Sequence, residues 1–354
     1  MRVLRLNLAQ LRCFESLSIV PSAGLNLLLG ANGSGKTSVL EALFLLSHGR
    51  SFRPGGSKAL IRRGQEECTV YAELDTVGHT HRLGLARSAH GWRARIDAQS
   101  VPRLSDLLVH CAAICVEPGS HGVLTGPAEG RRRFMDWGVF HVEHTFLEIW
   151  QSYQRCLLQR NFLLRTNGDS TQLDVWEQGM ANAAQWLDGQ RHDYLGRLRV
   201  RLLEHLARWL PELGEPTLNY QRGWASDASL IEVLAAHRMR DREQGYTRQG
   251  PHRADWLLGF EHAPERHQLS RGQTKLAALA CLLAQFDVFR ELRATTPLLL
   301  LDDLSAELDA AHLDQVMTYL QSSGAQTWIT GTDFPQRWQP GMRVFHVEHG
   351  VLRA

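Results

Sequence analysis

The chain has 354 residues, of which 44% are hydrophobic and 21% are charged, and its formal net charge is +2. These proportions are those of a globular protein and exclude a disordered or fibrous chain, and the length suffices for one large or two ordinary domains. Because the net charge is so small, any nucleic-acid surface must be a local patch of basic residues.

The first elements alternate between strand and helix signals. Residues 2–14 alternate apolar and polar side chains, and residues 24–30 ("GLNLLLG") form a short apolar run that ends at a glycine, so both predict strands. Residues 37–49 have the apolar spacing of a helix with Gly49 as its C-cap. Residues 67–97 alternate again between glycines, which predicts an antiparallel meander.

The middle of the chain is predicted to be mostly helical. From about residue 129 the apolar residues recur at helical spacing, and residues 172–210 continue this pattern. Long heptad repeats are missing, so we expect a compact helical lobe and no coiled-coil arm. Later elements are predicted as helices over residues 229–242 and about 310–321, and as strands in the apolar run at 297–301 and in "AQTWITGTD" at 325–333.

The two ends of the chain therefore alternate strands with helices, which predicts an α/β sheet domain assembled from both ends around a helical insertion. The six cysteines form no Cys-x-x-Cys pair, so neither a zinc ribbon nor a disulfide framework is indicated and reduced thiols are expected. The sequence has no apolar run of signal-peptide or membrane-span type. We therefore expect a cytoplasmic protein without a membrane partner.

Residues 30–38 ("GANGSGKTS") fit the phosphate-binding pattern G-x-x-x-x-G-K-[ST] between an apolar strand and a helix. In such a loop backbone N–H groups wrap the phosphates, and the helix N-terminus adds partial positive charge. Lys36 is predicted to bridge the outer phosphates, and Thr37 to offer its hydroxyl to Mg²⁺. The alternative is a glycine-rich β–α turn without a ligand.

Two carboxylates follow the apolar run at 297–301. Asp302 is the predicted Mg²⁺ partner, directly or through water, and Asp303 lies where many such ATPases keep a glutamate that polarises the attacking water. Lys36 and Asp303 are therefore the predicted catalytic residues. The alternative is a pair of carboxylates that cap the end of a strand.

The string "FHVEH" occurs twice, at residues 140–144 and 345–349. On a helix, its two histidines with Glu143 could hold a metal ion. The first copy is predicted at a helix start and the second in a strand, so we interpret the repeat as chance.

Residues 268–283 ("QLSRGQTKLAALACLL") place Ser270, Gly272 and Gln273 just ahead of an apolar helix. The segment resembles the signature loop of ABC-type ATPases, with Arg271 where a second glycine often lies. A serine, a glycine and a helix N-terminus can grip a γ-phosphate. In ATPases of this kind the loop reaches ATP held by a partner molecule, so we expect Ser270 to complete the site of another copy. For Arg271, tuning this grip, meeting DNA and shaping the loop all stay open.

Several motifs in combination resemble one family within the SMC and Rad50 group. "NGSGKTSVLEAL" is similar to the ATPase heads of that group, and five further segments resemble the RecF family of bacterial recombination-repair ATPases. These segments are "GRSFR" (49–53), "EPGSHGVLTGPAEGRRRFMDW" (117–137), "YQRCLLQRNFLLR" (153–165), "GPHRAD" (250–255) and "LDDLSAELD" (301–309), and the matches span residues 3–333.

The resemblance implies an ABC/Rad50-like P-loop ATPase fold without a long coiled coil. The expected ATP-binding lobe comprises residues 1–120 and 246–354, and the inserted, mostly helical second lobe comprises residues 121–245. In this scheme the segment near 268–283 can pack with the helical lobe.

The resemblance also implies ATP and Mg²⁺ as cofactors, homodimerisation with ATP, and sequence-independent binding of single-stranded and double-stranded DNA, including gapped duplex. Hydrolysis is expected to be weak, stimulated by DNA and used as a switch. The implied role lies in recombinational repair, replication restart and the SOS response, with RecR and RecO as partners in loading recombinase at gaps.

Site residues follow from the resemblance by position. Arg12 resembles the family's early arginine near nucleotide, and Ser305, Glu307 and Asp309 resemble the loop that meets the other subunit. The usual switch histidine and a Q-loop glutamine are missing, and "ITGTD" offers threonines at 330 and 332 instead, so we expect slow chemistry. The expected nucleotide-binding residues are Arg12, Gly30, Ala31, Asn32, Gly33, Ser34, Gly35, Lys36, Thr37, Ser38, Ser270, Gly272 and Gln273, with Thr37 and Asp302 as Mg²⁺ ligands.

A DNA backbone requires lysines or arginines at fixed positions. For each basic cluster the alternative is a solvated helix face or ion pairs; Asp136 is the candidate buried partner of Arg133, and Arg253 either couples nucleotide to the helical lobe or pairs with Asp255 or another acid. No base-reading helix or stacking platform stands out, so we expect a steep salt dependence without sequence preference. The candidates are Lys58, Arg62, Arg63, Arg131, Arg132, Arg160 and Arg165.

Two other classes compete with a DNA-repair ATPase: an SMC-like chromosome-structural ATPase and an ABC transporter ATPase subunit. A transporter head keeps its signature loop much closer to the P-loop than Ser270 is to Gly35 in this sequence. An SMC protein needs the long heptad arms that this sequence lacks.

Overall fold

In the computed structural model, residues 1–353 are described, apart from the side chains of Ser57 and Arg266. The chain forms two compact units: unit 1 contains Met1–Ser120 and Phe289–Ala354, and unit 2 contains His121–Val288. Unit 1 is therefore built from the two parts of the chain that flank unit 2.

The first part of unit 1 is rich in strands. In chain order it contains β1 (Arg2–Leu11), β2 (Phe14–Ile19), β3 (Leu25–Leu29), α1 (Lys36–His48), α2 (Gly56–Leu60), β4 (Glu67–Thr76), β5 (His79–Ser88), β6 (Gly91–Ile96), β7 (Gln99–Val101), α3 (Leu104–Leu108) and β8 (Ala113–Val116). Buried residues alternate with mostly half-buried ones along β4, because one face of its sheet is more deeply covered than the other. The antiparallel meander predicted over residues 67–97 is confirmed as β4, β5 and β6.

Unit 2 is mostly helical, as predicted. It contains α4 (Gly122–Thr125), α5 (Ala128–Val142), α6 (Phe146–Arg165), α7 (Ser170–Trp209), β9 (Pro216–Gln221), α8 (Leu230–Gln244), β10 (Asp255–Phe260) and α9 (Arg271–Leu292), whose last turn continues into unit 1. The longest helix, α7, has 40 residues and packs against α5, α6, α8 and β9. These contacts lie within unit 2, so α7 does not form a projecting coiled-coil arm.

The last part of unit 1 completes its second sheet. It contains β11 (Leu298–Leu301), α10 (Leu304–Glu307), α11 (Ala310–Ser323), β12 (Thr327–Gly331), β13 (Arg343–Glu348) and β14 (Val351–Arg353).

Unit 1 has two sheets of different character. The antiparallel sheet has the order β2-β1-β4-β5-β6-β7, and the other sheet has the order β14-β13-β3-β12-β11-β8. In the second sheet all neighbouring strands are parallel except β13 and β14. Because β3, β12 and β11 run in the same direction, the loops that follow them emerge at one edge, where parallel sheets bind ligands.

The core of unit 1 is one cluster of buried apolar residues from both sheets and from α1. Helix α1 is buried on almost every side, including Leu40, Leu43 and Leu46. Gly49 ends α1 in a left-handed conformation with φ of +66°, and its N–H bonds to Leu45 O, which confirms the predicted C-cap. The helix that begins at the phosphate-binding loop is therefore held firmly by packing.

The second domain boundary differs from the expected one. Residues 246–288 belong to unit 2, whereas the sequence placed them in the ATP-binding lobe and allowed only the segment near 268–283 to pack with the helical lobe. The physical reason is that β10 pairs with β9, and that the buried Trp256 donates its Nε1–H to Arg131 O at 3.0 Å. The assignment of functions to the two lobes stays a prediction.

The repeated "FHVEH" occupies two different structures. The first copy spans the end of α5 and not a helix start, and the second lies in β13 and the turn after it. In the described part of the chain no helix has the length and hydropathy of a membrane span.

Candidate functional site

The phosphate-binding loop joins β3 to α1. Gly33 and Gly35 have φ angles of +80° and +117°, which residues with a side chain rarely adopt. Lys36 is 4% exposed, and its Nζ donates to Gly30 O at 2.8 Å and to Ala31 O at 3.0 Å. The ammonium group therefore lies over the loop, where it can meet a phosphate.

The other loop residues divide by exposure. Ala31 and Asn32 are exposed, whereas Ser34 and Ser38 are buried. The Ser34 hydroxyl makes no hydrogen bond to any described residue. The Ser38 N–H donates to Gly35 O at 2.9 Å, as the first turn of α1 requires.

Asp302 accepts hydrogen bonds from two hydroxyl groups. Thr37 Oγ1 donates to Asp302 Oδ1 at 2.9 Å, and Thr330 Oγ1 donates to the same oxygen at 2.6 Å. Burial raises the pKa of Asp302, and the two hydroxyl bonds oppose that rise. Asp303 has a left-handed backbone with φ of +51°, and its N–H donates to Thr330 Oγ1 at 2.9 Å.

The pair Thr37 and Asp302 suits Mg²⁺. A hydroxyl and a carboxylate are the hard oxygen ligands that this ion prefers, and Mg²⁺ in nucleotide sites takes its other ligands from water and phosphate. Among residues 1–353, no group of three or more His, Cys, Asp or Glu could hold a metal ion by itself. The proposed metal site therefore has few protein ligands, namely Thr37 and Asp302. The histidines of the two "FHVEH" segments belong to no such group among these residues.

Arg12 is held by a buried carboxylate. It lies in the turn between β1 and β2, where Nε donates to Glu41 Oε2 at 2.8 Å, Nη2 to Glu41 Oε1 at 2.5 Å and Nη1 to Ala59 O at 2.5 Å. Glu41 belongs to α1, is fully buried and also accepts from the Ser51 hydroxyl. One carboxylate thus ties two loops to the phosphate-binding helix. The sequence analysis did not identify Glu41 or Ser51.

Arg12, Asp303 and residues of the phosphate-binding loop line one cavity of about 420 Å³. Arg12, Lys36 and Arg53 supply positive charge to its walls, and Thr37 and Asp303 supply oxygen atoms. Such a set of cations and backbone N–H groups complements a chain of phosphates. Arg53 was quoted only as part of "GRSFR", and its Nη1 lies 3.8 Å from Glu41 Oε2.

The signature segment begins α9 in unit 2. Ser270 Oγ accepts from Gln273 N–H at 3.2 Å, and Gln273 Oε1 accepts from Ser270 N–H at 3.0 Å, which is a reciprocal helix cap. Ser270, Arg271 and Gly272 are exposed, and a Cβ at Gly272 would meet open space. Among the described residues, no neighbour of Gly272 gives a packing reason for a glycine there.

Two of the expected DNA contacts are wrong. Arg160 is fully buried and donates to Glu177 at 3.0 Å and to Asp241 at 2.8 Å, and Arg131 is 3% exposed and donates to both oxygens of Asp255 at 2.6 and 2.8 Å. Their guanidinium groups are therefore already used inside unit 2 and cannot reach a DNA backbone.

The remaining basic candidates differ in exposure. Lys58, Arg63 and Arg165 are exposed. Arg62 lies 3.2 Å from a carboxylate oxygen of Glu15, and Arg132 is half-buried and donates to a backbone carbonyl at 2.8 Å. Burial lowers the pKa of Arg132.

Two other expected pairs, Arg253 with Asp255 and Arg133 with Asp136, also differ from those observed. Asp255 binds Arg131 and not Arg253, whose guanidinium lies 5.7 Å from the centre of the Tyr246 ring. Asp136 binds Arg191 at 2.8 Å, whereas the exposed Arg133 pairs with Glu129 one helical turn away.

The strand–loop–helix cradle, the paired Thr37 and Asp302, and a capped signature helix define an ABC-like ATPase head. A family model described as "RecF/RecN/SMC N terminal domain" matches residues 2–351. The DNA replication and repair protein RecF of Stenotrophomonas maltophilia is 43% identical over 100% of both chains. That of Xanthomonas axonopodis pv. citri is 44% identical over 99% of this chain and 98% of its own.

Solved structures agree on the fold. The recombination mediator protein RecF with ATP, from the RecFOR pathway, has a TM-score of 0.90 at 21% identity and covers 99% of this chain and 96% of its own. An Smc head bound to the C-terminal winged-helix domain of ScpA has a TM-score of 0.62 at 14% identity, with coverages of 100% and 96%. The chain belongs to the RecF family of DNA replication and repair proteins.

Proposed function

We propose that this chain is an ATP-dependent DNA-binding protein of recombinational repair and replication restart. The observation that supports this most directly is the meeting of Thr37 and Asp302, 265 residues apart in the sequence, beside a phosphate-binding loop in a chain of the RecF family. A RecF whose structure was solved with ATP shares the fold.

ATP is the proposed ligand and Mg²⁺ the proposed cofactor. The backbone N–H groups of the loop would bind the phosphates, and Lys36 would exchange its two carbonyl partners for phosphate oxygens. Thr37 and Asp302 would hold Mg²⁺, which neutralises phosphate charge when bound. Asp303 would orient the attacking water. Since Thr330, whose hydroxyl accepts from the Asp303 N–H, lies in the segment "ITGTD" where a switch histidine is usual, we propose slow hydrolysis that acts as a switch.

A second copy of the chain is the proposed partner in the ATP state. Ser270, Gly272 and Gln273 would grip the γ-phosphate of ATP held by Lys36 of the other copy. The exposed Ser270 and the unoccupied space around Gly272 support this role, because a glycine without a local packing reason suits close approach by another molecule.

DNA is the proposed target, in single-stranded, double-stranded and gapped form. Lys58, Arg62 and Arg63 line one cavity of about 540 Å³ together with His90, and Arg165 and Arg132 are the further candidates in unit 2. Backbone contacts of this kind give binding that is independent of sequence and steeply dependent on salt. RecR and RecO are the proposed protein partners in loading recombinase, within the cytoplasm and the SOS response.

Size-exclusion chromatography tests this function with and without ATP and gapped DNA. We expect a monomer without nucleotide, a dimer with ATP, and more dimer when DNA is present. Lys36→Ala should remove the ATP-dependent dimer, whereas Arg5→Ala, which removes an exposed cation of the same unit outside the proposed nucleotide and DNA sites, should retain it. A wild-type chain that stays monomeric under every nucleotide condition would rule out the clamp mechanism.

A further inference from the structure

The turn between β13 and β14 lies against the phosphate-binding loop. Glu348 pairs with Val351, so His349 and Gly350 alone form the turn. Their φ angles of +47° and +79° are both positive, as in the two-residue hairpin turns that match strand twist. The hairpin geometry thus accounts for the conformation of the turn independently of the phosphate-binding loop.

The hairpin meets both ends of the exposed part of the loop. Gly350 N–H donates to Ser34 O at 3.0 Å. At the other end, a Cβ at Gly30 would lie 2.2 Å from Val347 O, so β13 approaches Gly30 as closely as a backbone can. The hairpin therefore contacts the loop on both sides of residues 31–33, at Gly30 and at Ser34.

The bond to Ser34 O also sets the direction of a phosphate-binding N–H. Ser34 C=O and Gly35 N–H belong to one peptide group, and in a trans peptide these two bonds point in opposite directions. A carbonyl that points to the hairpin turns Gly35 N–H away from it, and Gly35 lines the nucleotide cavity. If the peptide flipped, an oxygen with partial negative charge would face the phosphates.

We propose that Gly350 is a positioning residue for nucleotide binding, whose N–H holds the Ser34 carbonyl so that Gly35 N–H faces a phosphate. The inference rests on the proposed binding of ATP. A residue with a side chain is strained at this position: φ is +79°, and an added Cβ would lie 2.7 Å from Cys13 O unless the backbone shifted. A side chain would therefore push the turn away from the loop.

A matched pair of glycine variants tests the proposal. Gly341 belongs to the same unit and has φ of +85°, but a Cβ there meets nothing within 4 Å. Gly350→Ala and Gly341→Ala place alanine in the same backbone conformation, and only the first disturbs Ser34. We expect Gly350→Ala to raise the Kd for a fluorescent ATP analogue roughly tenfold to a hundredfold, the range for one hydrogen bond to a charged group. Gly341→Ala should change it less than about twofold, within the usual effect of a surface substitution.

The variant Gly350→Asn distinguishes the effect of backbone strain from that of the contact made by the added Cβ atom. Asparagine tolerates the left-handed conformation but keeps the Cβ atom, so we expect the same loss of affinity as with alanine. Restored affinity with asparagine, or equal affinity of the two alanine variants, would overturn the proposal. A wild-type chain that bound no ATP would refute the proposed function itself.

Amide hydrogen exchange of the unchanged chain gives a test that needs no variant. Gly350 N–H should be protected without nucleotide, because its partner is within the chain, and Gly35 N–H should become protected only when ATP is added. A Gly350 amide that exchanged freely until ATP was added would contradict the role of the hairpin.

Discussion

At the scale of single residues, the proposed Mg²⁺ ligand Asp302 lowers the stability of the metal-free chain. Asp302 is buried and accepts two hydroxyl hydrogen bonds on a single oxygen, which leaves its other oxygen for a metal ion. Burial raises the pKa of this carboxyl group, so its ionised form is unfavourable until a cation is present. Packing alone would not favour an aspartate at this buried position.

Asp302→Asn should therefore stabilise the metal-free chain while it removes Mg²⁺-dependent ATP binding. The raised pKa means that the folded state binds the proton more tightly, so wild-type stability falls as pH rises from the ordinary value of 3.8 to the raised value and is then level. Asparagine accepts both hydroxyl bonds and does not ionise. We expect the variant to gain stability over wild type through this pH window, as measured by urea unfolding at pH 4 and pH 7.5 without Mg²⁺.

Asp314→Asn is the control with the opposite sign. Arg337 bonds to this exposed carboxylate at 2.6 Å, and this bond is the main cause of the lowered pKa of Asp314. This variant should be less stable than wild type at neutral pH, with the difference lost on acidification. If Asp302→Asn behaved like Asp314→Asn, burial would not be the dominant effect at Asp302.

At the scale of elements, local sequence patterns predicted the phosphate-binding loop and its flanking strand and helix. They did not predict the long-range hydrogen bonds that support this loop. The residues of the loop are consecutive, and β3, α1 and the acids after β11 could be read from their own neighbourhoods. Glu41 bonds to Arg12, 29 positions away, and Thr330 bonds to Asp302, 28 positions away. Gly350 bonds to Ser34, which is 350 − 34 = 316 positions away, and no periodicity in the sequence reports such pairings.

The error at Arg160 had a readable signal. On α6 the buried residues Tyr153, Leu157, Arg160 and Leu164 follow each other at helical spacing, so Arg160 lies on the inner stripe with three apolar residues. Its charge suggested DNA, but its place in the period indicated the core of unit 2. A buried arginine is tolerated there because Glu177 and Asp241 satisfy it.

Arg160→Ala and Arg165→Ala should separate stability from DNA binding on the same helix. Removing Arg160 leaves the buried Asp241 without its cation, while Glu177 keeps Arg238 at 2.5 Å, and the loss should destabilise the chain by about 3–5 kcal/mol in urea unfolding. Removing the exposed Arg165 should change stability by less than about 0.5 kcal/mol. If Arg165 contacts DNA, its loss should reduce the slope of log affinity against log salt by about 0.7–0.9, as titrations at several salt concentrations would show.

At the scale of the whole molecule, the residues proposed to bind nucleotide are divided between two units of one chain. Lys36, Thr37 and Asp302 belong to unit 1, and the capped signature helix belongs to unit 2. If ATP joins unit 1 of one copy to unit 2 of another, nucleotide binding and dimerisation become one equilibrium, and hydrolysis releases the dimer. Slow hydrolysis then sets the lifetime of the complex on DNA.

Ser270→Arg tests this coupling, because it should leave ATP binding by the monomer intact and weaken ATP-driven dimerisation on the order of a hundredfold or more. A bulky cation in place of the serine cannot approach the phosphate as closely, and it also removes the helix cap, which costs about 1 kcal/mol. Ser270→Asp keeps a capping oxygen and brings a negative charge toward the γ-phosphate, so it should block the dimer without that loss of stability. Ser226→Arg, at an exposed serine of the same unit, should dimerise like wild type. Sedimentation velocity with ATP measures the dimer, and a Ser270→Arg chain that dimerised normally would show that the signature loop does not contact the partner's nucleotide.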